Sequence, residues 1–126
     1  MGGEDVLIVE DEPIPAMELQ STLEALEYNV LGMEKRGEKV LDRLESESAD
    51  LVLMDIRLDG DMDGIEAAEK IRDRSPSTSI VFLTAYSDEE TLERAREIEP
   101  EGYLVKPITE NDLKSTLKMA LSRGKD

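Results

Sequence analysis

Glu10, Asp11, Asp55, Thr84 and Lys106 are the residues of this chain whose types could act together. Each sits one or two residues past a short apolar run: Leu7-Ile8-Val9, Leu51-Val52-Leu53-Met54, Ile80-Val81-Phe82-Leu83 and Tyr103-Leu104-Val105. Three carboxylates, a hydroxyl and an ammonium gathered in one place can hold a divalent cation and a phosphoryl group. Asp55 is then the natural nucleophile, because a carboxylate oxygen attacking phosphorus yields a mixed anhydride. A hard, oxygen-seeking ion such as Mg²⁺ would offset the charge of the entering phosphoryl oxygens, with Asp11 and Asp55 its best direct ligands. With the metal absent, carboxylates this close should repel and raise at least one pKa. Lys106 supplies a compact positive charge that can pair first with Asp55 and later with a phosphoryl oxygen. Thr84 offers a hydroxyl donor to another.

These residues meet only if the apolar runs are neighbouring parallel strands, whose C-terminal ends share one edge of an open sheet. The runs at 6–9, 30–33, 51–54, 80–83 and 103–105 are continuous rather than alternating, as expected of strands buried on both faces. Helical patterns separate them. Leu19, Leu23 and Leu26 recur at helical spacing, as do Ile65, Ala68 and Ile71, then Leu92, Ala95 and Ile98, then Leu113, Leu117 and Ala120. A weaker helix is expected over about Glu38 to Glu47. Asp63 with Glu66 and Ser87 with Glu90 have capping-box spacing, and Thr109 with Asp112 is a looser version. Pro13 and Pro15 fit only near a helix start. Five βα units result: a doubly wound α/β domain, with helices on both faces of a five-stranded parallel sheet.

Composition narrows the function. At 126 residues the chain is expected to form a single domain, with no linker or repeat. It has neither cysteine nor histidine, which excludes disulfides, thiolate metal sites, an imidazole base and an internal phosphohistidine. A formal net charge of −16 argues against direct nucleic-acid contact and favours cation uptake at any carboxylate cluster. The N-terminus lacks a signal peptide's basic and apolar segments, and no apolar run is long enough to span a bilayer, so a soluble cytoplasmic protein without membrane contact is expected.

The chain resembles the receiver domain of two-component response regulators along nearly its whole length. The resemblance is carried by Val9-Glu10-Asp11-Glu12, Leu53-Met54-Asp55-Ile56, Met62-Asp63-Gly64, Leu83-Thr84-Ala85 and Tyr103-Leu104-Val105-Lys106-Pro107, each at its proper strand end or helix start. It implies a chemotaxis-regulator-like receiver spanning residues 1–126, with a flavodoxin-like strand order of 2-1-3-4-5 and no output domain in view. It implies that Asp55 accepts a phosphoryl group from the phosphohistidine of a sensor kinase or phosphotransfer protein, with Mg²⁺. The product would later be hydrolysed by the receiver itself, which is not turnover of an outside substrate. The main-chain carbonyl of Arg57 would be a third metal ligand, and Glu10 would act directly or through water. Arg57 and Tyr86 would tune the hydrolysis. Thr84 and Tyr103 would be the switch pair, coupling the site to the face of the fourth helix, fifth strand and fifth helix. That face would meet a downstream effector or output domain, or a second copy of the chain. The Lys106-Pro107 peptide bond would be cis.

Other readings compete. Asp59-Gly60-Asp61-Met62-Asp63-Gly64 imitates the opening of a calcium loop, but the twelfth position, which should be a bidentate glutamate, is Lys70. Asp63 and Gly64 suit the cap and first turn of a helix better. The same loop is longer and more acidic than receivers usually have, and lacks their Met-Pro pair. A phosphohydrolase with an aspartyl nucleophile would want a second carboxylate where Arg57 stands. A nucleotide or flavin module would want a glycine-rich first loop, not Glu10-Asp11-Glu12-Pro13. A pseudo-receiver, used only for docking, would keep the architecture without the chemistry.

Overall fold

Val, Leu and Ile dominate the five apolar runs, and each run forms a strand in the computed structural model, which describes residues 3–58, 60–85 and 89–123. The strands are β1 (Asp5–Val9), β2 (Asn29–Glu34), β3 (Leu51–Asp55), β4 (Ser79–Thr84) and β5 (Gly102–Val105). The helices between and after them are α1 (Pro13–Ala25), α2 (Gly37–Leu44), α3 (Gly64–Arg74), α4 (Glu89–Glu97) and α5 (Glu110–Arg123). All four strand pairings are parallel and the sheet order is β2-β1-β3-β4-β5. The chain thus builds outward from β1 in one direction and then, through β3, in the other.

Successive strand residues point to opposite faces. Val6, Ile8, Leu51, Leu53, Val81 and Leu83 pack with α1 and α5 on one side. Leu7, Val9, Val52, Met54, Ile80 and Phe82 pack with α2, α3 and α4 on the other. Every residue of β3 and β4 is buried, as the continuous runs imply. The edge strands differ. β2 has no buried residue and β5 only Leu104, since an edge strand is covered less completely than a central one. Part of the cover on β2 is ionic: Arg43 of α2 pairs with Glu34 at 2.9 Å and donates to the Leu31 carbonyl at the bulge in the β1–β2 register.

Helix ends follow local chemistry. Pro13 opens α1, where a missing N–H is tolerated. Leu26 lies just past the helix, although it continues the apolar spacing, because Glu27 adopts φ 69° and turns the chain. Tyr28 N–H then bonds to Leu23 O at 3.0 Å and Glu27 N–H to Glu24 O at 3.0 Å, closing a left-handed C-terminal cap. At α3 the capping box is complete: Asp63 Oδ1 accepts from Glu66 N–H at 2.9 Å, and Glu66 Oε1 from Asp63 N–H at 3.2 Å. Thr109 Oγ1 accepts from Asp112 N–H at 3.1 Å before α5. Ser87, expected to cap α4, and Tyr86 and Asp59 lie outside the described residues.

Gly64 is the tightest point of this frame. A Cβ placed on it would collide with the Asp55 carbonyl, so the first turn of α3 sits directly against the end of β3, and Gly64 N–H bonds to Ile56 O at 2.9 Å. Relief would require moving backbone rather than a flexible side chain. Gly64→Ala should therefore lower the unfolding free energy by about 1–3 kcal/mol, measured from the urea midpoint at unchanged m-value.

Candidate functional site

Ladder hydrogen bonds continue past the strand ends and fix the residues that follow. Glu10 N–H bonds to Glu34 O at 3.0 Å, Ile56 N–H to Leu83 O at 3.1 Å, and Lys106 N–H to Thr84 O at 2.8 Å. Glu10, Asp11, Asp55, Thr84 and Lys106 accordingly stand along one edge, beside the crevice where the winding reverses between β1 and β3. The Lys106–Pro107 peptide is cis.

At the centre Lys106 Nζ donates to Asp55 Oδ2 at 2.9 Å and to Glu10 Oε1 at 2.7 Å. Asp55 Oδ1 accepts from the Arg57 main-chain N–H at 3.0 Å. The Glu10 side chain is 0% exposed and that of Asp55 9%, so two carboxylates share one ammonium largely away from water. Burial pushes the Glu10 pKa up to about 7, with the neighbouring Asp55 carboxylate adding to the rise and Lys106 opposing it. For Lys106 burial acts downward, but hydrogen bonds and charge from Glu10 and Asp55 outweigh it and hold its pKa above the ordinary value. The ammonium stays charged throughout the physiological range.

The donors suit a hard divalent cation. One carboxylate oxygen each from Glu10, Asp11 and Asp55 lies within 4.8 Å of the other two. Glu10 Oε2 is buried with no hydrogen-bond partner, an orphaned acceptor of the kind a metal or its water satisfies. Two of the three carboxylates are buried and Asp11 is half-buried, leaving the cluster open on one side. A cavity of about 250 Å³ lies above it, lined by Asp11, Asp55, Arg57, Thr84 and Lys106 with Glu12, Ile56, Ala85 and Thr91. Water occupies roughly 30 Å³ per molecule, so a phosphoryl group and several waters fit there.

Residues around the site are placed less directly. Tyr103 is partly exposed on β5, its ring 6.3 Å from that of Phe82 and tilted by 34°. Asp63 has both oxygens engaged, one on the α3 cap and one with Arg94 of α4 at 3.1 Å, as suits a helix cap. Among the described residues the only acidic cluster with metal-binding spacing is Glu10, Asp11 and Asp55. The motifs did not disclose the Glu10–Lys106 pair, which joins residues 96 positions apart, or the approach of Thr91 to the cavity. Thr91 carries one usable signal: α4 follows β4, so its first turn must lie near the same edge.

The chain belongs to the response regulator receiver family, whose model, "Response regulator receiver domain", matches residues 6–118. It is 36% identical over 121 residues to the transcriptional regulatory protein PdtaR of Mycobacterium tuberculosis, covering 96% of this chain and 58% of that protein. The chain therefore spans little more than half of that relative. The signal receiver domain of a modulated diguanylate cyclase from Desulfovibrio desulfuricans superposes with TM-score 0.92 at 36% identity, covering 98% of each chain. The receiver domain of the sensor histidine kinase PA1611 from Pseudomonas aeruginosa, described with a magnesium ion in its active-site cleft, gives TM-score 0.86 at 28% identity, over 96% of this chain and 99% of that one. Response regulators work in phosphorylation-dependent signalling with histidine kinases and output domains. No described helix is long and apolar enough to cross a membrane.

The raised Glu10 pKa has a defined consequence for stability. A carboxyl with a higher pKa folded than unfolded holds its proton more tightly when folded, so its contribution is full below the unfolded value of 4.5 and is lost as pH rises through about 7. Glu10→Gln mimics the protonated form. In chelator, the melting temperature of this variant should gain on wild type between about pH 5 and pH 8, and added Mg²⁺ should shrink the gain. A gap independent of pH would show that Glu10 titrates normally.

Proposed function

We propose that this chain is a phosphoryl-accepting switch, working in the cytoplasm, in which Asp55 is the acceptor. The observation that carries the reading is the placement of Asp55 at the end of β3. One of its carboxylate oxygens is held by Lys106 and the other by the Arg57 N–H, beside two further carboxylates. A bound Mg²⁺ would supply charge neutralisation for the phosphoryl oxygens, held by Asp11 and Asp55 with Glu10 direct or through water and the Arg57 carbonyl as a further ligand.

The donor is a phosphohistidine on a sensor histidine kinase or a phosphotransfer protein, since this chain has no histidine. An Asp55 oxygen bonds to phosphorus as the nitrogen–phosphorus bond breaks, and the imidazole leaves with the electron pair. Lys106 then transfers its contact from the Asp55 carboxylate to a phosphoryl oxygen, and the Thr84 hydroxyl donates to another. Little covalent chemistry is asked of the protein, and positioning with charge stabilisation supplies the rate.

Modification adds roughly one to two negative charges at the sheet edge. Thr84 moves toward the new oxygens and Tyr103 turns inward into the space released, which alters the face formed by α4, β5 and α5. An effector protein, an output domain or a second copy of the chain reads that face, and hydrolysis at Asp55 resets it. Phosphotransfer from candidate histidine kinases, or incubation with acetyl phosphate and Mg²⁺, should add one phosphate to wild type and none to Asp55→Asn, as followed by intact mass. Equal labelling of the variant would refute the acceptor assignment. No labelling of either would instead favour a docking-only receiver.

A further inference from the structure

A second cavity, of about 270 Å³, reaches the Glu10–Lys106 pair from between α1 and the connection that leads from β5 into α5. Leu19 and Leu113, 6% and 1% exposed, give it apolar walls together with the half-buried Pro15 and Ile108. Glu18, Pro107 and Thr109 are exposed and form its rim. Lys106 borders both this cavity and the one above Asp55, whereas Glu10 borders this one and not the other. The Glu10 side chain is 0% exposed; Lys106 donates to its Oε1, and its Oε2 has no partner. A buried, unpartnered acceptor thus stands at the inner end of a mainly apolar space. Few polar groups set among apolar walls are the usual make-up of a small-molecule site.

The same features limit what fits. A cavity of roughly 150 Å³ holds a benzene ring, and sites for larger ligands begin at about 300 Å³, so the space suits a single substituted ring. The orphaned carboxylate oxygen asks for a hydrogen-bond donor, since a buried acceptor without one costs free energy. Lys106 disfavours a cation beside it, and the net charge of −16 repels an anion on approach. A neutral donor remains.

We infer that this cavity is a binding site for a small neutral ring compound with one O–H or N–H donor, of the phenol class. Its ring would lie on Leu19, Ile108 and Leu113, and its donor would meet Glu10 Oε2. The site does not depend on Asp55 being the acceptor. A bound molecule would nonetheless lie against Lys106, the side chain that donates to Asp55 Oδ2 at 2.9 Å. It would therefore act on the working edge from behind.

Phenol is titrated into the isotope-labelled full chain in chelator, at about pH 8, where Glu10 is ionised. The amide resonances of Leu19, Ile108 and Leu113 should move saturably, with a dissociation constant of about 1 mM for so small a ligand. Toluene carries a methyl group in place of the hydroxyl and leaves water more readily, so a purely apolar cavity would prefer it. Loss of a hydrogen bond to a carboxylate corresponds to about tenfold, so toluene should bind about tenfold more weakly than phenol. Thr22 lines the cavity, and its hydroxyl bonds to the Glu18 carbonyl of its own helix. Thr22→Phe should fill the space and abolish the phenol shifts, and Thr22→Val should keep them. Absence of saturable shifts in wild type would overturn the site, and toluene binding as tightly as phenol would overturn the Glu10 contact. Both readings need wild type alone. Phenol shifts that persist in a folded Thr22→Phe would place the binding elsewhere and overturn the site as well.

Discussion

One ammonium between two carboxylates organises this molecule's working edge. Lys106, Glu10 and Asp55 follow or end three different strands, and their contacts of 2.7 and 2.9 Å join β5 and β1 to the central β3. Two carboxylates confined near each other out of water would be costly without a compensating cation. With Lys106 in place the ionised trio carries one excess negative charge, which a proton on Glu10 removes below about pH 7, and Asp11 stands at the open side. That residual charge, with the orphaned Glu10 oxygen, makes the site receptive to a divalent ion. The same ammonium gives the buried Asp55 carboxylate a charged partner at 2.9 Å.

Around this trio the fold is rigid on one side and loose on the other. The α3 start is pressed onto the Asp55 carbonyl at Gly64 and closed by a reciprocal cap, so the Asp55 backbone has little room to shift. At the far end of α3, Arg72 ties the turn before β5 through Glu101 at 3.1 Å and the Glu99 carbonyl at 3.0 Å. α4 has little apolar surface to bury and leans on exposed contacts such as Arg94–Asp63. A closely packed β3 end thus stands beside a lightly packed helix, the one with the fewest buried residues to hold it in place among those described.

Some of this was legible in the chain. The runs at 51–54 and 80–83 marked strands buried on both faces, and they lie at the centre of the sheet. Runs at 30–33 and 103–105 looked alike in sequence yet fell at edges, because apolar continuity reports tolerance of burial and neighbours decide whether it occurs. Asp63-x-x-Glu66 announced its cap correctly, since that signal is local. Leu26 was misleading for the same reason that periodicity is: spacing continued while the backbone at Glu27 had already turned.

The sequence by itself determined the alternation of strands and helices, the inventory of charged residues at strand ends, and the absence of histidine and cysteine from these 126 residues. Hydrophobic period, capping spacing and residue chemistry are local properties, readable without knowing what lies across the fold. Only the tertiary structure decided that Lys106 serves Glu10 as well as Asp55, that Glu10 is wholly buried with a free oxygen, and that Thr91 borders the cavity. Those facts concern distances between residues far apart in the chain, and charge, desolvation and pKa depend on those distances and on what excludes water around them.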